Sequence, residues 1–171
     1  MKYFFFALGT CLVFTSIAQP AKKIKISNND FKVAEGTWDG KLISTGSDDK
    51  TQITMPSILT IRCTDELIHL KFVSTAADGI KFTDSSTISI NDEASEMLAD
   101  GQDLDILGVR KNAGSLVIIA GTDLGTDQNK AAELKYTYTI SPNAVIILKQ
   151  VGYPNGKNYF MRSRYMALKK L

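Results

Sequence analysis

From residue 36 onward, apolar and polar residues alternate in short runs separated by turn-forming residues. Period-2 alternation is the mark of a strand that buries one face. The run 134–140 shows it most clearly, with Leu134, Tyr136, Tyr138 and Ile140 alternating with Lys135, Thr137 and Thr139. In 36–44 one face carries Trp38, Gly40 and Leu42, and in 53–62 one face carries Ile53, Met55, Leu59 and Ile61. In 67–74, Ile68, Leu70 and Phe72 stand opposite His69 and Lys71. Further strands are predicted at 80–90, 104–111, 116–120, 145–151 and 158–168, the first of these less regular. Pro56 marks an edge or a bulge, because it has no N–H for a ladder.

The breaks are short and rich in Gly, Pro, Asn and Asp, as in Lys111-Asn112-Ala113-Gly114, Ser141-Pro142-Asn143 and Pro154-Asn155-Gly156-Lys157. Short turns make neighbouring strands antiparallel, since a parallel pair needs a crossover of a dozen or more residues. The prediction is all-β: a single antiparallel up-and-down barrel of about 8–10 strands. Closure removes the exposed edges that an open sheet would leave. A two-sheet sandwich is the competing solution, but its usual crossovers need longer connections. Residues 92–99 fit one short helix, with Asn91 as N-cap and Gly101 at C′. A loop with a short strand fits them nearly as well. Residues 121–130 read as a long connection at the rim.

The N-terminus follows a different pattern. Lys2, an apolar run from Tyr3 to Phe14 and Ser16-Ile17-Ala18 read as a secretory signal peptide over 1–18. Its apolar core is shorter than the ~20 residues of a membrane span, and no second such run follows. The expectation is a chain exported to the periplasm or beyond, with no transmembrane segment after cleavage. Leu8-Gly9-Thr10-Cys11 resembles a lipidation box, but the apolar run continues past Cys11 and Thr precedes it, so a lipid anchor is not the expectation. Residues 19–32 (QPAKKIKISNNDFK) read as a polar arm, and 33–171 as the barrel domain.

Composition narrows the function classes. Twenty Lys and Arg against 18 Asp and Glu give +2, without the basic stripe of a nucleic-acid binder. Cleavage removes Lys2 and Cys11, leaving Cys63 as the single cysteine and no internal disulfide. One histidine, His69, leaves little material for a metal site.

Gly36-Thr37-Trp38 opens the first strong strand, and the closing strand carries Arg162 and Arg164. This pairing resembles the G-x-W and terminal arginine of the lipocalin-like (calycin) superfamily, including small exported bacterial members. The resemblance covers most of the chain as architecture and only these residues as motif. It implies a tryptophan at the closed end of a barrel with an arginine stacked over it, Arg162 being the favoured one. The polar motifs further along the classical lipocalins are not visible. The 45–52 connection is too short for the helical lid of a fatty-acid-binding barrel.

No residue set reads as catalytic, metal-binding or cofactor-binding. His69 reads as a strand histidine and Cys63 as a core residue. A thiolate nucleophile would need an orienting base, and no third group beside Cys63 and His69 is visible. Asp48-Asp49 and Asp103 with Asp105 read as solvated turns, short of a calcium loop. Tyr136 and Tyr138 share a strand face and either fill the core or line a cavity. With Phe72 and Met55 they are the candidate ligand-binding residues. The function expected is binding of a small hydrophobic or amphipathic ligand inside the barrel. The alternative is a structural or interaction module of the cell envelope, with a filled interior and an exposed apolar patch.

Overall fold

A computed structural model describes residues 24–168 apart from 47, 49, 155 and 157. Residues 1–18, Cys11 and Asp49 lie outside the described residues. Ten strands form one antiparallel up-and-down barrel: β1 Gly36–Thr45, β2 Gln52–Cys63, β3 Ile68–Thr75, β4 Lys81–Ile90, β5 Glu96–Ala99, β6 Gln102–Asn112, β7 Ser115–Asp127, β8 Lys130–Ile140, β9 Ala144–Gly152 and β10 Phe160–Leu168. Each strand pairs with its sequence neighbours, and β1 closes the ring on β10, Gly40 opposite Ala167 and Ser44 opposite Ser163. Among the described residues no helix is long and apolar enough to cross a membrane.

Closure depends on a small residue at the seam. A Cβ on Gly40 would lie 2.5 Å from the Met166 carbonyl and 2.8 Å from the Tyr165 hydroxyl. The bare glycine lets Tyr165 lean across the seam and donate to the Trp38 carbonyl at 3.0 Å. Pro56 sits where β2 has β1 as neighbour but has already run past its last pair with β3, Ser57–Ser74. An edge of that kind tolerates a missing N–H.

The segment read as a polar arm is a plug. Asn28–Ala34 form a 3₁₀ helix, and Phe31 and Ala34 are fully buried. The Asp30 carboxylate accepts from the Ser27 N–H, which steadies the first turn. Asn28 donates to the Asp65 and Glu66 carbonyls and accepts from the Ile90 N–H, so one amide ties together two turns at this end. Phe31 sets its ring edge-on to Tyr138 at 6.2 Å. Trp38 donates its indole N–H to the Ala34 carbonyl at 2.8 Å. Gly36, at φ +127, turns the chain from plug into β1 through a conformation that side-chain-bearing residues rarely adopt. The plug has too few apolar residues to show a period, which is why its sequence reads as polar.

Residues 92–99 are a turn and the four-residue strand β5, the alternative to a helix. Asn91 caps the turn, its side-chain oxygen accepting from the Ser95 and Glu96 N–H groups. Asp100 and Gly101, both at positive φ, make a two-residue hairpin into β6. The stretch 121–130 is strand almost throughout, turning at Gln128-Asn129.

Replacing Phe31 with Ala is expected to cost about 3–5 kcal/mol, the range for emptying a buried aromatic site. Urea unfolding measures it, and a loss below ~0.5 kcal/mol would fit an unpacked arm instead.

Candidate ligand cavity

The barrel interior differs between its two ends. At the plugged end Leu59, Ile61, Ile68, Ile88, Ile140 and Val145 are fully buried and fill the space with Trp38 and Phe31. Above them lies a cavity of about 390 Å³. Leu42, Met55, Leu70, Phe72, Tyr136, Tyr138, Ile147 and Tyr165 supply its apolar lining. All four candidate ligand-binding residues, Tyr136, Tyr138, Phe72 and Met55, therefore meet in one hollow. Tyr136 and Tyr138 stack with centroids 6.1 Å apart and rings 5° from parallel. Phe72 meets Tyr165 edge-on at 5.4 Å.

The wall opens where β5 is short. β4 pairs with β5 only from Ile88 to Ile90, so residues 81–87 have β3 on one side and no β5 partner on the other. Phe82 lines the cavity yet is 54% exposed, and Asp84 beside it is exposed too. Asp84, Ser86 and Asp100 also border an open groove that continues outward past His69 and Lys71. These inward polar residues explain why 80–90 reads as an irregular strand, because this part of the wall faces a wet space.

Polar groups ring the upper cavity. A bulge in β10 between Met161 and Ser163 gives Arg162 no pairing partner across to β9 and turns it inward. Strict alternation would place it with Arg164, which stays exposed. The Arg162 guanidinium, 7% exposed, meets the Asp127 carboxylate at 2.6 Å. It also donates to the Thr45 and Gly46 carbonyls and to the Tyr153 hydroxyl. Tyr153 in turn donates to Asp127, and Lys149 approaches the same carboxylate at 3.6 Å. One cation thus joins the β1–β2 turn, the β7–β8 hairpin and the segment before β10.

Arg162 does not cover Trp38. It stacks on Phe160, 4.8 Å from the ring centre. It lies beside Thr45 at the far end of β1, seven residues and roughly 23 Å along the strand from Trp38. Arg164 pairs with Ile43 and Leu148 on the outer face. The tryptophan is closed off by Tyr165 and the plug instead.

The cavity hydroxyls stay protonated. Burial, then the charge and hydrogen bond of Asp100, push the Tyr136 phenol well above its usual range. Burial does the same to Tyr138, followed by the Asp100 charge. Burial raises Tyr165 to about 12.

The remaining candidates do not assemble. Cys63 lies on the Leu59–Ile61 face opposite Ile68, whereas His69 is exposed and pairs with Arg62. Burial, then the Glu35 charge, push the Cys63 thiol up, away from the thiolate a nucleophile needs. Asp103 and Asp105 are exposed on β6. Asp48 accepts from the Lys50 and Thr51 N–H groups and the Thr51 hydroxyl, which lower its carboxyl to about 2. Among the described residues no three His, Cys, Asp or Glu side chains cluster to hold a metal ion. Asp84, Asp100 and Lys149 carry no mark in the sequence reading. The signal for Asp84 and Lys149 is polarity at positions where the strand period calls for apolar residues, while Asp100 reads as a turn residue.

Comparison with known protein families finds no family model that matches the chain. Comparison with curated proteins finds no match either.

Arg162→Ala is expected to lose about 3–5 kcal/mol in urea unfolding, because it leaves the buried Asp127 carboxylate with only the longer Lys149 contact and the Tyr153 hydroxyl. Arg164→Ala is expected to change stability by under ~0.5 kcal/mol.

Proposed function

We propose that this chain is an exported, lipocalin-like barrel that carries a small apolar or amphipathic molecule in the upper half of its interior. The observation that carries the reading is the aromatic-lined cavity of about 390 Å³ with an open wall beside it. Small-molecule sites are concave, mostly apolar and provided with a few placed polar groups, within ~300–1,000 Å³. The envelope-module alternative called for a filled interior, and the hollow upper half speaks against it. Kinship with the calycin superfamily is part of the proposal. The closed antiparallel barrel and Trp38 at the plugged end support it, while the position of Arg162 departs from the superfamily's arrangement. Export rests on the n-region, apolar run and small-residue site in 1–18.

The test is to isolate the protein from its native envelope fraction or medium and compare native with denaturing mass spectrometry. The expected result is a chain beginning at Gln19 with a ligand-sized mass excess that disappears on denaturation. A bare chain mass under native conditions contradicts the carrier reading, and a chain that retains Met1 contradicts export.

A further inference from the structure

We propose that the cavity selects cationic amphiphiles, molecules with an aryl or alkyl body and a protonated amine. This rests on the carrier reading above. The argument starts from which charges in the cavity are already paired. Arg162 and Lys149 both face Asp127, at 2.6 and 3.6 Å. Lys149 also sits over the Tyr136 ring, 5.7 Å from its centre. One carboxylate thus contacts both cations and leaves that cluster at net +1, against which Asp84 and Asp100 set two negative charges in the same cavity lining.

Asp84 and Asp100 border the opening in the wall and line both the cavity and the outer groove. Asp84 accepts from the Ser85 N–H at 2.9 Å, and Asp100 accepts from the Tyr136 hydroxyl at 3.3 Å. Neither forms an ion pair with a described residue, though Lys71 and His69 line the outer groove nearby. An ionised carboxylate has about four acceptor sites, so each keeps capacity for a ligand's N–H groups.

An independent feature points to a bound molecule in the same cavity. The Tyr138 side chain is 2% exposed and lines the cavity. No described residue hydrogen-bonds its hydroxyl, although Tyr136, Tyr153, Tyr159 and Tyr165 all have hydroxyl partners. No fully enclosed side-chain polar atom among the described residues lacks a partner, so this hydroxyl opens to the cavity, where a bound molecule would supply one. An anionic head group meets the opposite situation. Its two possible counter-ions share Asp127, and it would have to pass Asp84 and Asp100 at the opening.

Three probes with one body separate the contributions: 4-phenylbutylamine, 4-phenylbutanol and 4-phenylbutyrate, titrated calorimetrically into the full chain at pH 7. The amine is expected to bind about tenfold or more tighter than the alcohol, the carboxylate weakest, with the amine's advantage shrinking as salt rises. In D84N/D100N the ratio of amine to alcohol affinity is expected to fall to about one, folding being checked by circular dichroism. Alcohol or carboxylate binding as tightly as the amine overturns the cation preference and leaves the carrier reading standing. A double variant that keeps the preference overturns the assignment to Asp84 and Asp100. Binding of none of the three overturns both proposals.

Discussion

A barrel of ten strands is too wide for its own side chains to fill. Eight strands give an interior that inward residues just occupy, and each added strand widens it. The chain meets this constraint differently at its two ends. At one end it inserts Asn28–Ala34, and Phe31 and Trp38 complete a solid core with the aliphatic residues of the wall. At the other end no described segment is inserted, and the extra diameter remains as the cavity. The aromatic floor follows from the plug, because Tyr138 packs on Phe31, stacks on Tyr136 and still lines the hollow.

A half-empty barrel must hold its rim by means other than packing. Arg162 does this, and it reaches the interior only because the β10 bulge interrupts the alternation. Its bonds cross to the β1–β2 turn and the β7–β8 hairpin. A buried ion pair is weak evidence of net stabilisation. Its role here is to fix where three rim segments sit. The same Asp127 contacts both Arg162 and Lys149, and Asp84 and Asp100 make the cavity lining net negative.

The wall was legible in the sequence because a sheet with one buried face imprints its period on the residues. Tyr136, Tyr138, Phe72 and Met55 were found this way, and all four face the cavity. Three features were not legible, each for a physical reason. The plug is too short for a period, so its single buried phenylalanine looks like a stray in a polar arm. The Arg162 bulge shifts one residue to the other face, and no local residue pattern announces it. The polar inner wall of β4 disguises a strand, since Phe82, Asp84 and Ser86 face a wet space. The helix and the hairpin at 92–101 compete for the same residues. Asn91 caps either one, and Asp100-Gly101 is a two-residue turn as well as a helix end.

The central claim is that the interior is filled at the plugged end and hollow, hence receptive, at the other. Methyl NMR of the chain titrated with 4-phenylbutanol tests it most directly. The account predicts shifts at Leu42, Met55, Leu70 and Ile147, which line the cavity, and none at Ile61, Ile88 and Ile140 beside the plug. Shifts confined to outward methyls such as Leu107 and Leu124, or no shifts at all, would contradict it.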